Sequence, residues 1–174
     1  MPADTNHPGV LFVCTANQCR SPMASILFQN LVSKRTDFGN WRIESAGTWA
    51  IDGLTATERA QIVLQNRGLD LRQHLSRGVT AEMLLSFDLI LTMESGHKEA
   101  LRIEFPQVAK RIFLLSEMTG KLFDVNDPIG GSLDEYEAAA TEIENLLIQG
   151  FDKIIQFAQD NHAEPGGNNK SILA

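Results

Sequence analysis

Residues 10–22, Val-Leu-Phe-Val-Cys-Thr-Ala-Asn-Gln-Cys-Arg-Ser-Pro, constrain this chain more than any other stretch. The apolar run from Val10 to Val13 reads as a buried strand, and Cys14 stands at its end. Ser21-Pro22 reads as a helix start, with Ser21 as the N-cap and Pro22 at the first helical position. The loop Cys14-Thr15-Ala16-Asn17-Gln18-Cys19-Arg20 therefore joins a strand to a helix N-terminus. Such a loop aims backbone N–H groups at one spot, and the helix dipole adds positive potential there. That spot suits an anion, and the same potential favours the anionic form of a cysteine sulfur. The loop ends in a guanidinium, which grips two phosphate oxygens at once.

The pattern of elements predicts the fold class. Gly9 to Cys14, Trp41 to Ser45, Phe87 to Met93 and Arg111 to Leu115 read as four strands. Helices are expected from Ser21 to about Ser33, from the capping box Thr55-x-x-Glu58 to Arg67, over Thr80 to Ser86, and from Ser95 to about Glu104. A last helix opens at the capping box Ser132-x-x-Glu135 and runs to about Gln159. Strands alternating with helices imply a single α/β domain: a four-stranded parallel sheet, helices on both faces, and the phosphate-binding loop after the first strand. The domain is expected over residues 9–160, between an N-terminal tail at 1–8 and a flexible tail at 161–174. Ligands of such sheets bind beyond the carboxyl ends of the strands. Cys14, Ser45, Met93 and Ser116 should therefore surround one crevice, under the long irregular stretch from Ser116 to Gly131.

A nucleophile within a phosphate cradle implies covalent phosphoryl transfer through cysteine. Cys14 is the candidate nucleophile and Arg20 the group that holds the phosphoryl oxygens. Ser21 can donate its hydroxyl to the sulfur. An acid is also needed to protonate the leaving group and then activate water. Asp124, Asp127 and Asp134 all qualify by position. Pro128 holds Asp127 extended, which suits a loop hanging over a site. Asn17 suits left-handed backbone geometry within the tight loop. Trp49 with Ile51 and Ile129 is expected to line the mouth of the crevice.

Cys14-x5-Arg20-Ser21-Pro22 near the N-terminus, with Asp127-Pro128 far downstream, resembles the low-molecular-weight protein tyrosine phosphatases of bacterial type. The resemblance runs from about Gly9 to the late helix. It selects Asp127, just before proline, as the general acid, and it implies that Asn17 bonds to Ser45 and His74. It further implies hydrolysis of phosphotyrosine on proteins with release of inorganic phosphate. Some members of the family form a reversible disulfide between cysteines placed as Cys14 and Cys19. Ala16 departs from the glycine frequent in relatives, and Ile129-Gly130-Gly131 stands where the family often carries aromatic residues. The Cys-Thr opening of the loop and the Gly-Gly-Ser after Asp127-Pro128-Ile129 are similar to the protein arginine phosphatase branch, which has threonine at the position of Gln18. Arsenate reductase, which reuses the loop, needs further cysteines for its disulfide relay, and this chain has 2 cysteines in all.

Composition excludes several other classes. A formal net charge of -7 argues against nucleic acid as a partner. The four histidines, at 7, 74, 97 and 162, show no ligand spacing, so neither a metal nor any other cofactor is expected. No stretch has the length of a membrane span and the first residues are polar, which places the protein, as an expectation, in the cytoplasm and away from membranes. A monomer is assumed.

Overall fold

A computed structural model describes residues 7–35 and 40–163. The expected tails at 1–8 and 161–174 therefore lie largely outside the described residues. Four strands, β1 (Gly9–Cys14), β2 (Arg42–Gly47), β3 (Leu89–Thr92) and β4 (Ile112–Leu114), form one sheet in the order β2-β1-β3-β4. All three pairings are parallel. The helices are α1 (Arg20–Ser33), α2 (Glu58–Gln65), α3 (Ala81–Ser86), α4 (Ser95–Glu104) and α5 (Leu133–Ala163).

β1 is central and buried along its whole length, which explains its unbroken apolar run. Its side chains alternate between two cores. Val10, Phe12 and Cys14 face the larger one, with Met23, Leu27 and Phe28 of α1 and Ile143, Leu147 and Phe151 of α5. Leu11 and Val13 face the smaller one, with Leu84 of α3 and Leu101 of α4. Phe28 meets Phe12 edge-on at a centroid distance of 5.7 Å. This sandwich holds the end of β1 and the start of α1 rigidly together, and the loop between them inherits that rigidity.

Three local expectations are corrected. First, α1 begins at Arg20, two residues earlier than Pro22, the first helical position that Ser21-Pro22 suggests. Cys19 takes the N-cap position without any side-chain capping bond. The Ser21 hydroxyl is drawn inward instead, to the groups described below. Pro22 still fits, because its missing N–H falls among the first-turn donors that no helical carbonyl could reach. Second, Thr55 does not cap α2. It bridges Leu75 in extended conformation and its carbonyl is taken by Gln18, so the helix opens after Thr57. Third, α5 continues to Ala163, because Asn161 donates to the Asp88 carbonyl at 2.8 Å and His162 pairs with the Asp88 carboxylate at 3.1 Å. The capping box opening α5 is present. Ser132 N–H donates to Glu135 Oε2 at 2.6 Å, and Glu135 N–H to Ser132 Oγ at 3.3 Å.

Candidate active site

The carboxyl ends of β1, β2 and β3 meet at the loop between Cys14 and Arg20. Asn17 has φ 56°, the left-handed conformation that lets the loop curl. Its side chain is buried and fully engaged. Nδ2 donates to Ser45 Oγ and to Ser21 Oγ, both at 2.9 Å, while Oδ1 accepts from Arg77 N–H at 3.0 Å. His74 donates from Nε2 to the Asn17 carbonyl at 2.6 Å. Burial, with the Arg77 charge nearby, lowers the His74 pKa and keeps the ring neutral, although the Asn17 carbonyl opposes the shift. Gln18 ties the loop outward by donating from Nε2 to the Thr55 carbonyl at 3.0 Å.

Gly47 closes the loop from below. A Cβ there would lie well inside contact distance of the Thr15 carbonyl oxygen and 3.0 Å from Asn17 N. Both are loop backbone, which no side-chain rotation can relieve. Gly47→Ala is therefore expected to destabilise the fold by about 1–3 kcal/mol, as overpacking does. Its kcat/KM should fall further than that loss of stability accounts for, a comparison made by thermal unfolding beside phosphate-ester turnover.

Cys14 is buried, and its Sγ lies 3.0 Å from Ser21 Oγ. The Ser21 hydroxyl has one proton and two acceptors in reach, the sulfur and the Ala46 carbonyl at 3.2 Å. With a neutral thiol the S–H can donate to Ser21. With an anionic sulfur the hydroxyl turns to it. Cys19 is also a free thiol, buried beneath the loop. Its burial, with Cys14 and Asp127 nearby, pushes its pKa far above the ordinary cysteine range.

Arg20 is only 1% exposed, an unusual place for a guanidinium. It is paired to match. Nη1 donates to Glu94 and to the Val125 carbonyl at 2.8 Å. Nη2 donates to Asp127 Oδ2 at 2.9 Å and to Thr15 Oγ1 at 3.4 Å. Val125 is fixed in turn by its N–H to the Met93 carbonyl at 2.9 Å, which pins the irregular segment to the end of β3. Two carboxylates thus face one buried cation.

The three candidate acids separate by position. Asp124 caps α4, accepting from Ser95 N–H at 2.7 Å and from the Ser95 hydroxyl at 3.2 Å. Asp134 is exposed in the first turn of α5. Asp127 alone reaches Arg20, and its Oδ1 accepts from Ile129 N–H at 3.1 Å in a turn closed by Pro128. Trp49 is anchored beside the loop, its backbone N–H donating to the Thr15 carbonyl at 2.9 Å, yet the residue is 87% exposed. Ile51 and Ile129 are exposed as well. These rim residues stand in solvent instead of packing against the loop.

Glu94 and His97 carry no local motif in the sequence. His97 Nε2 lies 2.9 Å from Thr15 Oγ1. The available signal was positional. Both residues follow β3 directly, at the carboxyl edge where such sheets place ligands.

These features define a strand–loop–helix anion site containing a cysteine, an arginine and an aspartate. The family model described as low molecular weight phosphotyrosine protein phosphatase matches residues 9–159, and the chain belongs to that family. It is 38% identical over 141 residues to a protein-arginine-phosphatase of Bacillus subtilis, covering 80% of this chain and 92% of the relative. The crystal structure of a low molecular weight protein tyrosine phosphatase from T. tengcongensis superposes with a TM-score of 0.80 at 36% identity, covering 84% of this chain and 99% of the other. A YwlE arginine phosphatase, in a mutant form with a phosphorylated active site serine, also superposes at 0.80, with 34% identity over 88% of this chain and 99% of the other. Among the described residues no helix is long and apolar enough to cross a membrane.

Proposed function

We propose that this protein hydrolyses phosphorylated protein side chains, phosphotyrosine first, through a phosphocysteine on Cys14. The observation that carries the reading is that Asp127, 107 positions along the chain from Arg20, meets the guanidinium that ends the loop opened by Cys14. The phosphorylated serine in the YwlE mutant supports the covalent step in a relative. The bond that forms is Cys14 S–P, and the bond that breaks is P–O to the side chain. Asp127 delivers a proton to the departing oxygen. Water then attacks the phosphocysteine, gives its proton to Asp127, and inorganic phosphate leaves with the Cys14 sulfur anionic beside Ser21.

Arg20 begins this cycle paired with Asp127. An incoming phosphoryl group offers its oxygens to the same Nη2, so substrate binding itself detaches Asp127, which takes up the proton that Cys14 loses on becoming the nucleophile and carries it to the leaving group. Phosphotyrosine suits the exposed apolar rim at Trp49, Ile51 and Ile129. A second reading, phosphoarginine, is supported by the 38% identity to the Bacillus subtilis enzyme. Matched phosphotyrosine and phosphoarginine peptides decide between them. A higher kcat/KM on phosphotyrosine supports the first reading, and the reverse moves the protein to the arginine branch.

The acid role has its own test. Asp127→Asn should lower kcat/KM, which reports the steps up to departure of the leaving group, by roughly 10²–10⁴ on substrates with poorly departing alcohols. The loss should shrink on aryl phosphates whose leaving group needs no proton. An equal loss on both classes would make Asp127 a holder of Arg20 and not the acid.

A further inference from the structure

We infer that His97 is a positioning residue that links its own protonation to anion binding by the loop, acting through Thr15 Oγ1. The inference rests on the reading of residues 14–21 as the phosphate site and adds a device that controls it.

His97 lies on α4, 8% exposed, behind the loop. Its ring has one hydrogen-bond partner among the described residues, Thr15 Oγ1 at 2.9 Å, because Nδ1 is buried with none. Any change in the ring is therefore passed to Thr15. That hydroxyl is also where Arg20 Nη2 points its second hydrogen bond, at 3.4 Å. Thr15 is thus the hinge between His97 and the group that grips phosphate.

The chemistry follows from donor counting. A neutral ring with its proton on Nδ1 accepts the Thr15 hydroxyl proton at Nε2, so Thr15 presents only lone pairs toward Arg20. A protonated ring donates from Nε2 instead. The Thr15 proton is then released to point into the loop as a further donor to an anion, and the ring adds a positive charge.

Several charged groups face the ring. Glu94 stands at the start of its own helix, Arg20 comes from α1, and Asp124 and Asp127 belong to the segment after β4. Burial is the largest effect and lowers the His97 pKa. Arg20 acts in the same direction, and the three carboxylates oppose it. The ring of the free protein is accordingly neutral near pH 7. A dianion in the loop favours the protonated ring, so binding takes up a proton, and by reciprocity a proton on His97 tightens binding.

Sulfate is the probe, because its charge does not change between pH 5.5 and 8. Its Kd is read from amide shifts in NMR titrations, independently of turnover. The His97 ring pKa is followed in the same samples with and without saturating sulfate. The parent Kd should tighten about fivefold or more from pH 8 to 5.5, beyond any tightening in His97→Gln, and sulfate should raise the ring pKa correspondingly. Glutamine reaches Thr15 as Nε2 does but does not titrate, so its profile also subtracts the contribution of Glu94, Asp124 and Asp127. Equal profiles for the parent and His97→Gln, or a ring pKa unmoved by sulfate, overturn the inference. The ring titration needs only the parent, so it decides even if His97→Gln fails to fold. A parent that binds no sulfate at any pH overturns the phosphate-site reading and this inference with it.

Discussion

Cys14→Ser is expected to lower kcat on any phosphorylated substrate by roughly 10⁴-fold or more, the scale seen when a covalent nucleophile is removed. The serine oxygen would occupy nearly the same place, beside Ser21, so the loop should still bind phosphate. Loss of turnover with retained anion affinity is the pattern that separates a nucleophile from a packing cysteine. Chelating agents should leave the parent rate unchanged, since no step in the proposed cycle uses a metal. Stopped-flow or steady-state rates beside phosphate binding constants check this. Turnover above one hundredth of the parent in the serine variant would exclude covalent chemistry through Cys14.

Arg20→Lys is the second large effect. An ammonium keeps the charge but not the planar fork, so it cannot serve Glu94, Val125 and Thr15 on one side while presenting paired donors to a phosphoryl group. An arginine aimed at a transferring phosphoryl group contributes about 10³–10⁵ in rate, and most of that should be lost. Stability should suffer too. A buried cation that no longer satisfies two carboxylates leaves Glu94 and Asp127 facing each other, and breaking a buried pair costs about 3–5 kcal/mol. Glu94 and Asp127 keep partial solvent access, at 33% and 35%, so the observed loss should fall toward the lower end. Thermal unfolding and kcat/KM measured on the same variant distinguish the two consequences. An Arg20→Lys protein with near-parent kcat/KM would remove Arg20 from the phosphate site.

Much of this protein was determined by local sequence. The four strands, the order of helices and the parallel sheet follow from apolar runs and turn chemistry, because backbone periodicity acts within a few residues. The loop was legible for the same reason: a buried strand, a cysteine, an asparagine that tolerates left-handed backbone and an arginine at a helix start lie within one short segment. Sequence also read Ser21 as an N-cap. The tertiary structure turned it to Cys14 and Asn17, because the helix already starts at Arg20 and the Ser21 side chain lies inside its first turn, facing the buried sulfur and amide. Residue chemistry alone left Asp124, Asp127 and Asp134 open and the family resemblance pointed to Asp127; that this carboxylate meets Arg20 follows from the packing of the segment after β4 against β3. The same holds for Glu94 and His97. Their contacts with Arg20 and Thr15 span more than seventy positions of chain, a distance over which local pattern carries no information and only the sheet order β2-β1-β3-β4 brings the residues together.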